Sequence, residues 1–133
     1  MEIEEDGFWK PEYNGNYWYF CTDTCRVFNT FWGPTHVHEN RLNIGNMYKT
    51  KEEAEFELER MNVLGELKKF SRKFRKDELN YYIYLNCNTN ELGTVLSDNR
   101  ERFNVYFESY EKAKEAIEVV GEDRIKKYLF GIE

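Results

Sequence analysis

The sequence lacks the long apolar segments that mark membrane proteins and secreted precursors. None of its 133 residues fall in an apolar run of about 18 residues, so no transmembrane helix is predicted. The first residues, MEIEEDGF, are acidic and contain no apolar stretch, which does not fit a secretory signal peptide. We therefore expect a cytoplasmic protein that does not contact membranes.

Cysteine and histidine are scarce, with three cysteines and two histidines in the chain. An odd number of cysteines without a signal peptide does not predict a disulfide framework. The sequence also contains no glycine-rich phosphate loop, no dinucleotide-binding fingerprint and no kinase or hydrolase motif. We predict that the protein is not an enzyme and that it has no cofactor.

Apolar residues and charges are abundant and unevenly distributed. Hydrophobic residues make up 41% of the chain and aromatic residues 17%, which is enough for a globular core. The net charge is −6, yet the segment KKFSRKFRK at 68–76 contains six basic residues and no acidic one. The rest of the chain is therefore strongly acidic, which argues against general nucleic-acid binding.

Turn residues and apolar runs divide the chain into two similar halves. The first half predicts strands at 17–20, 26–32 and 42–49, and a helix from 51 to about 75 that Thr50 and Glu53 open with a capping box. The second half predicts strands at 81–85, 94–96 and 102–107, a helix capped by Ser109 that ends before Gly121, and a short terminal helix.

Aligning Thr50 with Ser109 brings the two halves into register. Tyr48 then falls on Phe107 and Ala54 on Ala113, while NYWYF upstream falls on NYYIY. The pattern predicts an α+β fold of antiparallel strands and two main helices, built as a tandem β-β-β-α repeat with a short C-terminal helix. We expect one domain, 1–133, whose halves are about 8–76 and 79–133. Coincidental similarity between two common local arrangements is the alternative.

Two cysteines and two histidines in the first half have the residue types of a zinc site. Cys21 and Cys25 are followed by His36 and His38, and the two histidines would share one face of an extended strand. The cysteine spacing is not the usual one, and the alternative is a buried Cys21 with surface histidines. A nucleophile and base pair is a further interpretation, but no oxyanion hole or orienting acid is evident.

The first helix begins with a dense row of glutamates. The row comprises Glu52, Glu53, Glu55, Glu57 and Glu59. Paired carboxylates can transfer protons or bind metal ions, and acids spaced along a helix can occupy the basic groove of a partner. A solvated helix face is the simpler interpretation.

The basic segment follows at the predicted end of the same helix. Its basic residues are Lys68, Lys69, Arg72, Lys73, Arg75 and Lys76. On a helix, Phe70 and Phe74 would be neighbours four residues apart, with the charges arranged around them. A helix end with two core aromatics, or a patch for RNA, DNA or an acidic partner, would fit this pattern.

Several of these segments together resemble a group of small phage and prophage proteins of Firmicutes. The group combines a Trp-x-Pro opening, a Thr-x-Glu-Glu-Ala helix start and a Gly-Glu-x-Arg-x-x-Lys-Tyr-x-Phe-Gly tail. The matching positions are Trp9, Pro11, Asn46, Thr50, Glu52, Glu53, Ala54, Ser109, Gly121, Arg124, Lys127, Tyr128 and Gly131. The resemblance implies a phage accessory protein in a bacterial cytoplasm and brings no catalytic residues. The segments CTDTC and THVHEN depart from the pattern.

We therefore expect a non-enzymatic protein that binds and inhibits a host protein, such as a CRISPR effector of bacterial defence. Trp9, Trp18 and Trp32 are the expected aromatic anchors, and Glu52, Glu55 and Glu59 would steer the protein toward a basic groove. A small-ligand binder that sequesters a nucleotide signal is the alternative, with phosphate contacts from the basic segment. A nucleic-acid-binding accessory protein is a third hypothesis.

Overall fold

A computed structural model describes residues 3–5, 8–97 and 105–133, and the prediction of an α+β fold is confirmed. Three antiparallel strand pairs and four helices occur in this part of the chain. In chain order they are β1 (Ile3–Glu5), β2 (Phe8–Lys10), β3 (Asn16–Cys21), β4 (Arg26–Phe31), α1 (His36–Asn43), α2 (Lys51–Lys68), β5 (Tyr81–Asn86), β6 (Glu91–Leu96), α3 (Tyr110–Val120) and α4 (Glu122–Phe130). None of the described helices is long and apolar enough to cross a bilayer.

The chain forms two compact units, unit 1 (Met1–Glu59) and unit 2 (Arg60–Glu133). Their boundary lies inside α2, whereas the predicted halves meet at 76–79. That the chain is a single domain, and that its halves arose by duplication, stay predictions. Unit 1 has five basic and twelve acidic residues, a net charge of −7, and unit 2 has fourteen and thirteen, a net charge of +1. The acidic character of the protein is therefore a property of unit 1.

The centre of unit 1 is the β3–β4 hairpin. Its register pairs Tyr17 with Thr30 and Tyr19 with Phe28, so these four side chains share one face of the hairpin. Tyr17 is fully buried in a core with Trp32 and Met47, against which Trp9, Tyr19 and Leu42 pack. The alternation along β3 thus directs its odd-numbered tyrosines into the core of unit 1.

The third strand predicted at 42–49 is wrong in extent, because α1 occupies the chain up to Asn43. Tyr48 alone pairs with β3, through two backbone hydrogen bonds of 2.8 Å with Trp18. The side-chain amide of Asn46 pairs with the backbone N–H and C=O of Phe20, at 2.9 and 2.8 Å. A buried amide therefore supplies the hydrogen bonds that a strand residue would have made.

Two elements of unit 1 were not predicted, the β1–β2 pair and α1. The histidines at 36 and 38 were expected in a strand or loop, but they lie in α1. None of the side chains of α1 is fully buried, and Thr35 makes no side-chain cap. A helix without a cap or an apolar face leaves little trace in the sequence.

Unit 2 is built on the β5–β6 hairpin, the second half of α2, α3 and α4. Its buried cluster consists of Val63, Leu67, Phe107, Ala113, Ala116, Val120 and Ile125. Phe107 exchanges backbone hydrogen bonds of 3.1 and 2.8 Å with Tyr81. The strand predicted at 102–107 is represented only by Tyr106 and Phe107, which form isolated bridges; residues 102–104 lie outside the described residues.

The predicted helix caps are confirmed. The Thr50 hydroxyl accepts a hydrogen bond from the Glu53 N–H at 3.2 Å, and the Ser109 hydroxyl accepts one from the Lys112 N–H at 3.0 Å. Gly121, with φ of 109°, separates α3 from the predicted terminal helix. Local side-chain chemistry therefore fixed where both main helices begin.

The end of α2 was predicted wrongly, because the helix stops at Lys68 instead of continuing to about 75. Phe70 and Phe74 are consequently not stacked along a helix. Phe70 packs against the core of unit 2, and the ring of Phe74 meets that of Tyr106 edge-on at 5.1 Å. The basic segment is mostly a loop.

Candidate functional site

A groove in unit 1 lies between the start of β4 and the first half of α2. It has a volume of about 420 Å³ and is lined by Cys25, Arg26, Val27, Glu55, Leu58 and Glu59. It brings together three residues that the sequence singled out, Cys25, Glu55 and Glu59, although they were assigned to different hypotheses. The exposed Glu52 does not line it.

Helical periodicity explains the composition of the groove wall. Ala54 is fully buried and Leu58 lies four residues later, so these two residues define the inner face of α2. Glu55 and Glu59 are also four residues apart. Each directly follows one of these two apolar residues in the sequence, so the glutamates form a second row beside the first. One wall therefore presents an apolar row beside a carboxylate row.

The charges of the groove are unequal. Two carboxylates face one guanidinium, that of the exposed Arg26. Lys51 approaches Glu55 at 3.8 Å, but both side chains are about half exposed, so this ion pair contributes little to stability. An apolar floor of Val27 and Leu58 beside two carboxylates suits a lysine or arginine, whose stem is apolar and whose tip is charged.

The predicted tryptophan anchors are less accessible than the predicted role requires. Trp32 is only 8% exposed and belongs to the core, while Trp9 and Trp18 are half-buried. Within the described residues, the buried Trp9 Nε1 has no hydrogen-bond partner. Their partner-binding role stays a prediction. The most exposed aromatic side chains of unit 1 are Tyr13, at 70%, and Phe31, at 64%.

The Cys/His residues do not form a metal centre. No group of three or more His, Cys, Asp or Glu residues placed to hold an ion occurs in the described ranges. Cys25 is exposed in the hairpin turn, and His36 is exposed at the start of α1. His38 instead uses Nδ1 in a hydrogen bond with the Tyr17 hydroxyl. The zinc hypothesis therefore gains no support from the geometry.

Cys21 has chemistry of its own, because hydrogen bonds from the following turn lower the pKa of its thiol. The Thr24 backbone N–H contributes most, followed by the Thr24 hydroxyl and the Asp23 N–H. A lowered pKa increases the thiolate fraction at neutral pH, and the thiolate is the reactive form. We expect Thr24→Val to raise this pKa and to shift the alkylation of Cys21 by iodoacetamide to higher pH.

Mass spectrometry of alkylated peptides as a function of pH measures this shift at each cysteine. Thr24→Ser retains the hydroxyl and should leave the Cys21 profile unchanged. The exposed Cys87 should show the same profile in all three proteins. A Cys21 midpoint that does not move in Thr24→Val would contradict the assignment.

The basic segment folds around one buried amide in unit 2. Asn80, which is 1% exposed, accepts hydrogen bonds from Arg72 Nη1 and the Arg75 N–H, both at 3.0 Å. Its Nδ2 donates to the carbonyls of Arg75 and Glu78 at 2.9 Å. Arg72 also donates to the carbonyls of Lys73 and Leu79. Arg72 is therefore a loop-building residue, while Lys68, Lys69, Lys73, Arg75 and Lys76 remain exposed.

A second cluster in unit 1 joins cations to aromatic rings, and the sequence did not reveal it as a site. The Arg41 guanidinium lies 3.6 Å above the Tyr19 ring, and its Nη1 donates to the Tyr17 hydroxyl at 2.9 Å. The His38 ring contacts Tyr17 and Trp32 edge-on, at 5.6 and 6.0 Å between centroids.

Lys10 extends this cluster, with its Nζ 4.6 Å from the centre of the Trp32 ring. Two sequence spacings are consistent with this arrangement. Tyr17 and Tyr19 are two residues apart and so share one face of β3, and His38 and Arg41 are three residues apart, which places them on one face of a helix. The helical spacing becomes visible only once α1 is known to be a helix.

No protein-family model, curated protein or solved structure matches the chain. The geometry of the groove and of the cation and aromatic cluster is therefore the basis for the functional proposals.

Proposed function

We propose that this protein is a non-enzymatic phage accessory protein that binds and inhibits a host protein, such as a CRISPR effector of bacterial defence. The groove of unit 1 would receive a lysine or arginine side chain of that partner. The observation that supports the proposal is the pairing of an apolar floor with the carboxylates of Glu55 and Glu59. The phage origin and the nature of the host protein rest on the sequence resemblance.

The charge distribution supports an encounter with a basic surface. Unit 1 has a net charge of −7, and the N-terminal half of α2 contributes five of its glutamates. Such a field raises association rates with a positively charged partner and would act before close contact forms. Glu52, outside the groove, would contribute to this long-range attraction, whereas Glu55 and Glu59 would contact the bound side chain.

The two alternative functions differ from this proposal in what they require of the basic segment. A nucleic-acid or nucleotide binder would present its cations to phosphates. Arg72 already donates to Asn80 and to two backbone carbonyls, which reduces the donors that the segment can offer. The exposed cations of the segment keep both alternatives testable.

The groove is tested with a double variant and a matched control. Glu55→Gln with Glu59→Gln removes two carboxylates that lie four residues apart on α2 and line the groove. Glu111→Gln with Glu115→Gln makes the same change on the exposed surface of α3. We expect the groove variant to weaken the binding of a protein captured from host lysate about tenfold, because charge-assisted hydrogen bonds are lost.

The affinity of the captured protein is then measured by biolayer interferometry as a function of salt. The α3 control should bind like the unmodified protein, and high salt should weaken binding by reducing the attraction. Absence of any retained protein, or equal binding by both double variants, would refute the proposal. A salt-dependent mobility shift of labelled DNA or RNA by the unmodified protein would favour the nucleic-acid alternative. Thermal stabilisation of the protein by nucleotides would favour the small-ligand alternative.

A further inference from the structure

We infer that the cation and aromatic cluster of unit 1, formed by Lys10, Tyr17, Tyr19, Trp32, His38 and Arg41, binds the phosphate group of a small phosphomonoester. The cluster shares no residue with the groove of the proposed function. The inference does not depend on that function.

The hydrogen-bond donors of Arg41 are the first reason. A guanidinium has five N–H donors, and within the described residues only one bond from Arg41 is made, to the Tyr17 hydroxyl. The Arg41 Cζ lies 3.6 Å from the centre of the Tyr19 ring, and this contact restricts the position of the guanidinium. The remaining donors therefore form a preorganised fork of the kind that binds phosphate oxygens.

The tautomer of His38 adds a second donor. Arginine cannot accept a hydrogen bond, so the Tyr17 hydroxyl accepts from Arg41 and donates its own proton to His38 Nδ1. The proton of a neutral His38 ring then resides on Nε2, which becomes a donor. Tyr17, which is fully buried, thus orients both residues from one oxygen atom.

The aromatic surroundings of two cations are the third reason. Lys10 lies over the Trp32 ring and Arg41 over the Tyr19 ring. A neutral ring leaves the positive field of a cation in place, whereas a neighbouring carboxylate would offset that field. The cluster is therefore a local positive site in an acidic unit.

The charge of the whole unit selects the ligand. The tetrahedral oxygens of a phosphate dianion match the guanidinium fork of Arg41, and the nearby His38 and Lys10 would add donors to it. A nucleic acid would bring many phosphates into the field of a unit whose net charge is −7, which opposes its binding. A small molecule with one phosphomonoester brings fewer negative charges and experiences less of this repulsion.

Isothermal titration calorimetry with phenyl phosphate and with inorganic phosphate tests the inference on the full chain. We expect saturable binding of phenyl phosphate, and about tenfold weaker binding in Arg41→Lys, which keeps the charge but loses the fork. Lys10→Gln should also weaken binding, and it changes only a cation at the edge of the cluster. Lys49→Gln removes an exposed lysine of the same unit that belongs to neither site and should leave the affinity unchanged.

Circular dichroism establishes that each variant is folded before titration. Benzoate presents a carboxylate on the same ring and should bind more weakly than phenyl phosphate. No saturable heat at millimolar ligand would overturn the inference, as would equal affinities of the unmodified protein, Arg41→Lys and Lys10→Gln. A loss in Lys49→Gln as large as that in Arg41→Lys would also overturn it, since it would indicate nonspecific attraction.

Discussion

Replacing Phe107 with alanine is expected to lower the free energy of unfolding by about 3–5 kcal/mol, the usual cost of emptying an aromatic core position. Phe107 is fully buried in the core cluster of unit 2. A pocket lined by Leu67, Ile83 and Leu129 already borders it, so truncation would enlarge an existing cavity. Because small proteins are stable by only about 5–15 kcal/mol, a large share of the stability would be lost.

Urea denaturation followed by two probes measures this loss and also tests the predicted single domain. All three tryptophans lie in unit 1, so their emission reports on that unit, while circular dichroism reports on both. A common shift of both transitions would support one cooperative domain, and an unchanged tryptophan transition would oppose it.

The control for this substitution is Tyr110→Ala. Tyr110 is an aromatic residue of the same unit but is 50% exposed, so its removal should change stability by about 0.5 kcal/mol or less. If Phe107→Ala lowers the free energy of unfolding no more than Tyr110→Ala does, the assignment of Phe107 to the core is wrong.

Replacing Asn80 with alanine is the second large effect, with an expected cost of about 2–3 kcal/mol, because it leaves buried polar groups without partners. The Arg75 N–H and the carbonyls of Arg75 and Glu78 would all lose the Asn80 amide as their hydrogen-bond partner. Arg72 would lose one acceptor as well. The basic loop should therefore open while the core of unit 2 stays folded.

Limited trypsin digestion reports on this loop directly, because trypsin cleaves after basic residues. We expect faster cleavage within 72–76 in Asn80→Ala, together with the loss of stability in urea. Asn86→Ala is the matched control, since Asn86 accepts hydrogen bonds from the Asn88 and Thr89 N–H groups at an exposed turn where water can replace it. Equal stability and equal cleavage in Asn80→Ala and the unmodified protein would show that the amide does not hold the loop.

The elements that follow from short-range sequence features were predicted well. Thr50 and Ser109 begin the two main helices, and their hydroxyl groups need only the N–H three residues later. The hairpins at β3–β4 and β5–β6 join apolar runs across short turns, so their partners are also close in sequence. Glu55 and Glu59 were selected from the row of glutamates on the first helix, and their binding role stays a prediction.

Two of the errors share a cause, which is competition from a side-chain amide that takes the place of backbone hydrogen-bond partners. Asn80 holds 72–75 in a loop, so the helix that the sequence favours as far as about 75 ends at Lys68. Asn46 replaces a strand residue through bonds to Phe20, which lies twenty-six positions earlier. A side-chain amide that substitutes for backbone has no periodicity that a sequence pattern could display.

The sequence by itself therefore determined the helix starts, the hairpins, the α+β class and the acidic character of the protein, because each depends on near neighbours or on composition. Only the tertiary structure decided that Glu55 and Glu59 share a groove with Cys25 and Val27. It also decided that Arg41 lies over the ring of Tyr19. Packing between distant segments sets which charges are neutralised and which remain able to bind a ligand.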